Sequence, residues 1–135
     1  MVTIDHLGIA VKSLASARKL YEQLGLEVVS EETIAHEKVK VAMIPMGESR
    51  VELLEATDEE STIAKFIAKR GEGIHHIALS VPSIVEAMEE LKKQGTRFVS
   101  EEIQYGAGGH LYVFVHPSST GGVLLELCQD QVSPA

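Results

Sequence analysis

Two histidines and two glutamates recur at matched positions in the two halves of the 135-residue chain. His6 and His76 lie 70 positions apart, each in a strand-like apolar segment, and Glu52 and Glu126 lie 74 positions apart, each in a later apolar segment. Imidazole and carboxylate groups together suit a first-row divalent ion that keeps positions open for water or substrate. The repeat therefore predicts a metal site to which each half contributes one histidine and one glutamate.

The repetition of the histidine and the glutamate is stronger evidence for a metal site than any single residue is. A lone histidine on a strand is more often structural or exposed than metal-binding, so His6 alone would be weak evidence. Its repetition as His76, with a glutamate downstream of each, favours a site. Glu126 adds to this, because a buried carboxylate is costly and residues 123–128 contain no lysine or arginine to pair with it.

For several other residues the evidence for a functional role is weaker. Residues 106–109 include three glycines, which either bring backbone N–H groups close to a ligand or form a plain flexible turn. His75 is predicted on the opposite strand face from its neighbour His76, so it is left outside the metal site. His116 precedes a proline at a strand end, where it serves the site or orders the turn. Cys128 is a small thiol of the kind that usually packs.

The residues around each histidine predict how it is positioned. Residues 3–11 are typical of a strand that carries bulky apolar side chains on one face and His6 among small residues on the other. Ser13 follows as a predicted N-cap, and apolar residues at helical spacing continue until Gly25. The second half repeats this order from Ser83. Each histidine strand is therefore predicted to lead directly into a helix.

Three short strands are predicted after each of these helices. They span residues 26–31, 39–45 and 50–55 in the first half and residues 97–101, 111–116 and 122–128 in the second. A helix over residues 58–70 is predicted to link the halves. The sequence thus predicts an α+β fold in which two tandem βαβββ modules form a curved sheet around a metal-lined cleft.

The length and composition indicate one domain over residues 1–135. Module one is expected at 1–57, the linker helix at 58–72 and module two at 73–129. The net charge of -8 argues against a nucleic-acid partner, and no segment has the character of a membrane span or a signal peptide. One cysteine cannot form an internal disulfide, which fits a cytoplasmic protein.

Five segments resemble the vicinal-oxygen-chelate superfamily and, within it, the methylmalonyl-CoA epimerases. They cover residues 5–11, 61–66, 70–78, 106–109 and 116–127. The first segment is generic to the superfamily, whereas the last two are much more specific to the epimerases. The resemblance implies a homodimer that interconverts (2R)- and (2S)-methylmalonyl-CoA.

The resemblance also implies roles for individual residues. It assigns His6, Glu52, His76 and Glu126 as ligands of a divalent metal, with cobalt favoured and zinc, nickel or manganese as alternatives. Some relatives carry glutamine where this chain has Glu52, so the site here has an additional negative charge. Glu37 and Glu126 are expected to act as two acid/base groups on opposite faces of an enolate.

Two other functions remain compatible with the same fold. One is a glyoxalase-like isomerase that uses the same four ligands on a glutathione adduct. The other is a metal-free module that binds small molecules and sequesters drugs. Metal dependence separates the second alternative from both enzymes, and the substrate separates the two enzymes from each other.

Overall fold

Two βαβββ modules make up the computed structural model, which describes residues 1–130. Module one contains β1 (Thr3–Ala10), α1 (Leu14–Gln23), β2 (Ser30–Ile34), β3 (Val39–Met46) and β4 (Ser49–Ala56). The linker helix α2 (Thr62–Arg70) follows, and module two contains β5 (Gly73–Ser80), α3 (Ile84–Lys93), β6 (Gln104–Tyr105), β7 (Leu111–Val115) and β8 (Leu125–Gln129). The predicted α+β class and the order of elements in both modules are confirmed.

The contacts within the chain divide it into two compact units. One comprises His6–His75, and the other comprises residues 1–5 with the described residues from His76 onward. In the first the strand order is β2-β3-β4-β1, and in the second it is β5-β8-β7-β6. The single domain expected over residues 1–135 stays a prediction.

In each module the first strand pairs in parallel with the last. β1 runs beside β4 and places Gly8 opposite Glu52. β5 runs beside β8 and places Ala78 opposite Glu126. Each histidine lies two residues before the position that faces the glutamate, and side chains two residues apart on a strand share a face. The pairing therefore turns each histidine and its glutamate to the same side of their module.

Serine caps and glycine stops set the ends of the first helix of each module. The side chains of Ser13 and Ser83 each accept a backbone N–H of the following turn at 3.2 Å. Gly25 and Gly95 follow the helix ends with φ of +87° and +89°, a region that favours glycine. None of the helices within residues 1–130 is long and apolar enough to cross a membrane.

A second contact ties each helix to the glutamate-bearing strand. The backbone N–H of Leu14 donates to Glu55 Oε1, and that of Ile84 donates to Gln129 Oε1, both at 2.8 Å. Each acceptor lies on the strand that carries the site glutamate, three residues after it. The first free N–H of each helix is thus satisfied by a side chain, which fixes the helix against that strand.

Each helix covers the apolar face of its own module. The buried core of module one is formed by Val11, Leu14, Ala42, Ile44, Val51 and Leu53. The buried core of module two is formed by Val81, Ile84, Met88, Val113, Val115 and Leu127. Because strand side chains alternate, these cores leave the opposite strand face to the histidines and glutamates.

Leu53→Ala is expected to lower the free energy of unfolding by about 2–5 kcal/mol, because it opens a cavity beneath α1. The Leu53 side chain is fully buried, whereas Leu20 on the outer side of α1 is 60% exposed. Leu20→Ala is the matched control and should change stability by no more than about 0.5 kcal/mol. Urea denaturation of both variants measures the difference, and equal small losses would contradict this description of the core.

The strand after α1 starts later than predicted. β2 begins at Ser30 rather than at residue 26, because the preceding residues close the end of the helix. The backbone N–H of Leu26 donates to the carbonyl oxygen of Tyr21 at 3.0 Å, and the side chains of Leu26 and Val28 pack on the core of module one. An apolar run that looked like a strand is therefore an extended connection over that core.

The strand predicted at residues 97–101 is wrong. Only Phe98 forms a bridge there, to Val115, and the paired strand β6 lies further along at Gln104–Tyr105. The reason is a local turn, in which the side chain of Ser100 accepts the backbone N–H of Glu102 at 3.1 Å. Serine offers the backbone this alternative to strand pairing, so the chain bends away before it pairs again.

Candidate functional site

Module one brings its histidine and its glutamate into contact. His6 on β1 and Glu52 on β4 are 4% and 6% exposed, and His6 Nδ1 lies 3.4 Å from Glu52 Oε2. Gly8 and Ala10 share the strand face of His6, and both are buried. His6 is therefore followed by small residues on its strand face, as the sequence predicted.

Module two repeats the arrangement with the other imidazole nitrogen. His76 on β5 and Glu126 on β8 are 6% and 7% exposed, and His76 Nε2 lies 3.3 Å from Glu126 Oε1. The ring of Phe114 meets the His76 ring edge-on, with 5.5 Å between their centroids. Tyr112 packs edge-on against Phe114 in turn at 5.7 Å. Aromatic side chains therefore hold the imidazole of module two in place.

Arg50 is a further charged group in module one, and its contact with Glu52 was missed by the sequence analysis. It lies two residues before Glu52 on β4, and its Nε donates to Glu52 Oε2 at 3.1 Å. The side chains of Arg50 and Glu52 are only 18% and 8% exposed. The available signal was their spacing, because residues two apart on a strand face the same way.

Glu37 is the last residue of a short 3-10 turn, Ala35–Glu37. Its side chain is 35% exposed, and its Oε1 lies 3.6 Å from the Nε2 of the more exposed His36. Lys38, which follows, has a φ of +53°, a left-handed conformation that turns the chain into β3. Glu37 is thus a partly exposed carboxylate on a tight turn, without the burial that surrounds Glu52.

His75 faces away from its neighbour, as predicted, and packs against the linker helix. Its ring meets that of Phe66 edge-on at 5.0 Å, and the Arg70 guanidinium lies 5.9 Å from the centre of the same Phe66 ring. Burial lowers the pKa of His75 below its ordinary value, and the negative charge of Glu37 partly opposes this shift. The aromatic contact therefore holds His75 against the linker helix.

The glycine loop at residues 106–109 is closely packed against its neighbours. A Cβ on Gly106 would lie 3.1 Å from the Tyr112 ring, so a larger residue would push against the aromatic side chain. The backbone N–H of Gly106 donates to the carbonyl oxygen of His110 at 2.8 Å. Gly108 and Gly109 have φ of +71° and +79°. Packing therefore disfavours a larger residue at Gly106, and the backbone conformation favours glycine at positions 108 and 109.

Two further candidates have structural contacts. The backbone N–H of Ser118 donates to His116 Nδ1 at 3.0 Å, so His116 orders the turn before β8. Cys128 is 2% exposed and packs with Ala78 and Tyr112, and its thiol donates to the carbonyl oxygen of Leu79. These contacts match the structural alternatives that the sequence left open for both residues.

The donor atoms of the two pairs fit a divalent transition-metal ion. Each pair presents one imidazole nitrogen and one carboxylate oxygen, the ligand types that zinc, cobalt, nickel and manganese accept. Both pairs are buried, and carboxylates at such depth need a cation, a proton or a strong hydrogen bond. The four-ligand metal site inferred from the sequence is chemically consistent with this arrangement and stays a prediction.

Comparison with known proteins places the chain among characterised relatives. The model of the glyoxalase/bleomycin resistance protein/dioxygenase superfamily matches residues 5–114. The mitochondrial methylmalonyl-CoA epimerase of Homo sapiens is 38% identical over 128 residues, which cover 93% of this chain and 73% of that protein.

Solved structures of methylmalonyl-CoA epimerases match nearly the whole chain. A variant of Streptomyces coelicolor methylmalonyl-CoA epimerase in complex with 2-nitronate-propionyl-CoA is 33% identical, with a TM-score of 0.92 over 98% of this chain and 97% of that chain. A methylmalonyl-CoA epimerase in complex with methylmalonyl-CoA and NH4+ is 34% identical, with a TM-score of 0.92 over 99% of both chains.

Proposed function

Because the chain belongs to the glyoxalase/bleomycin resistance protein/dioxygenase superfamily and, within it, to the methylmalonyl-CoA epimerases, we propose that it interconverts (2R)- and (2S)-methylmalonyl-CoA. The observation that carries the proposal is the pair of buried histidine–glutamate contacts at matched positions of the two modules. A buried polar pair that is repeated in both halves is explained more readily by a shared ligand than by folding stability, to which such pairs contribute little.

His6, Glu52, His76 and Glu126 are proposed to hold one divalent ion, with cobalt favoured and zinc, nickel or manganese as alternatives. When bound, such an ion is a Lewis acid that stabilises negative charge on oxygen. The chain's own residues fix the imidazole rings by packing and hold the carboxylates at the required depth. This assignment is supported by the burial of all four side chains.

The proposed reaction removes the C2 proton that lies between a thioester and a carboxylate and returns a proton to the opposite face. Glu37 and Glu126 are proposed as the two acid/base groups, one on each side of the planar enolate. The Streptomyces coelicolor relative is described with 2-nitronate-propionyl-CoA, and a nitronate is a planar anion that resembles an enolate. That resemblance supports an enolate in the reaction of this chain.

A cytoplasmic homodimer is proposed as the form in which the chain acts. Ile4 on β1 and Ile74 on β5 occupy matched positions of the repeat and are 53% and 60% exposed. Exposed aliphatic side chains at two equivalent positions are suited to a subunit interface. The single, buried Cys128 fits a reducing compartment.

The substrate distinguishes an epimerase from a glyoxalase-like isomerase, which remains the second candidate on the same family membership. We expect the protein to exchange the C2 proton of methylmalonyl-CoA and to leave the hemithioacetal of methylglyoxal and glutathione unchanged. The reason is that the alignment with the human epimerase, at 38% identity, covers 93% of this chain. Proton NMR in deuterated water follows both substrates in parallel, and isomerisation of the glutathione adduct at a comparable rate would reverse the assignment.

A further inference from the structure

The contact between Arg50 and Glu52 has no counterpart in the repeat. Residue 124, which the offset of 74 matches to Arg50, is a leucine. In module one Glu52 Oε2 lies 3.1 Å from Arg50 Nε and 3.4 Å from His6 Nδ1, so a single oxygen faces both groups. This ion pair is largely shielded from water, where a charge acts more strongly than it does on an exposed surface.

The charge of Arg50 changes the electrostatics of the proposed site. Two ionised glutamates and two neutral histidines would together offset the charge of a divalent ion and leave a neutral centre. Methylmalonyl-CoA carries a carboxylate, and its enolate carries a further negative charge, so a neutral centre attracts neither. A guanidinium stays protonated in proteins, and Arg50 therefore restores one positive charge beside the site.

We infer that Arg50 is a charge-balancing residue, which neutralises Glu52 and thereby keeps the site positive enough to hold an anionic substrate. The inference rests on the proposed function. It differs from a purely structural role of the ion pair in one respect. A structural role predicts that loss of Arg50 weakens every property of the site, whereas charge balance predicts opposite effects on a bound cation and on a bound anion.

The test compares Arg50→Gln, Glu52→Gln and the variant that carries both changes. Arg50→Gln removes a positive charge 3.1 Å from Glu52, so Co²⁺ should bind about tenfold more tightly and KM for methylmalonyl-CoA should rise about tenfold. Glu52→Gln removes a negative charge from the site while Arg50 keeps its own charge, and it should weaken Co²⁺ binding by at least about tenfold. In the double variant the charges are again matched, so its KM should return towards that of the wild type.

Two measurements and two control variants keep the test independent of folding defects. Competition with a chromogenic chelator gives the Co²⁺ affinity of the metal-free proteins, and C2 proton exchange gives KM and kcat separately. Arg50→Lys keeps the charge and should shift both values from those of Arg50→Gln back towards those of the wild type. Arg18→Gln removes a partly exposed arginine that pairs with Glu22 and Glu31 in module one, and it should change neither.

The outcomes separate this inference from the proposed function. If wild-type protein binds Co²⁺ but does not act on methylmalonyl-CoA, the proposed function fails, and the order of Co²⁺ affinities still decides the inference. Weaker Co²⁺ binding and higher KM together in Arg50→Gln, without recovery in the double variant, would assign the ion pair a structural role only. Absence of Co²⁺ binding by the wild type would also overturn the inference.

Discussion

Replacing His6 or His76 with alanine is expected to lower the affinity for divalent metal by more than about 100-fold and to abolish epimerase activity. Each change removes an imidazole nitrogen that lies within 3.4 Å of a buried carboxylate. Glu52 keeps its contact with Arg50 when His6 is lost. Both variants should lose bound metal to a similar extent.

Elemental analysis of the purified variants measures bound metal, and chelation followed by addition of Co²⁺ tests whether activity depends on it. His36→Ala is the matched control, because the His36 side chain is 47% exposed and lies outside the two buried pairs. It should retain bound metal. Full metal occupancy and full activity in both His6→Ala and His76→Ala would show that neither histidine holds the metal, and would remove the proposed site.

The helix starts and the strand faces were predicted correctly from the sequence, because both depend on interactions between residues that are close in the chain. Ser13 and Ser83 satisfy free N–H groups at the start of a helix, and this requirement is visible in any sequence. The alternation around His6 likewise assigns the histidine to one strand face and the apolar residues to the other. Since the repeat applies the same rules to His76, the positions of both pairs within their modules could be predicted.

The features that it missed depend on contacts between distant segments or on competition between local ones. β6 lies at Gln104–Tyr105 because the turn at Ser100 interrupts the pairing after the single bridge at Phe98, and strand propensity alone contains no information on that turn. The contact between His75 and Phe66 joins β5 to the linker helix. Gly106 fits against the ring of Tyr112, a contact that composition cannot reveal.

The Arg50–Glu52 contact could have been predicted from the spacing of the two residues on one strand. It was missed because the prediction relied on features that the two halves share. Comparison of the halves draws attention to what they share, and Arg50 is present in one half only. A buried glutamate looked costly enough to require a metal. In the structure the guanidinium of Arg50 also lies beside Glu52. The evidence for a metal therefore comes from the repetition of the buried histidine–glutamate pair in both modules, and not from the burial of Glu52.

Glu37→Gln is expected to slow interconversion of the two epimers by about 100- to 10,000-fold while leaving bound metal unchanged. Glutamine keeps the size of the side chain and most of its hydrogen bonding, but it cannot accept a proton. Glu37 is not one of the four proposed ligands, so metal binding should not depend on it. With Glu126 intact, proton exchange at one face of the substrate should persist.

A single epimer in deuterated water, followed by proton NMR, separates the two steps. In the wild type, the product should gain deuterium at C2 while unreacted substrate gains less, because one carboxylate removes the proton and the other delivers a solvent-derived one. Glu126→Gln should be more severe, since it weakens the metal site as well as the base. Glu48→Gln changes an exposed glutamate of the same module and should behave as wild type.

The partial exposure of Glu37 makes the two possible outcomes of this experiment distinct. A glutamate that is 35% exposed on a short turn would ordinarily be a solvated charge, and its replacement by glutamine would then have no effect on turnover. Wild-type turnover in Glu37→Gln would therefore assign it that role, and the second base would have to lie elsewhere in the site. Loss of interconversion with retained one-face exchange requires instead that Glu37 faces the substrate, since a surface charge could not separate the two epimers.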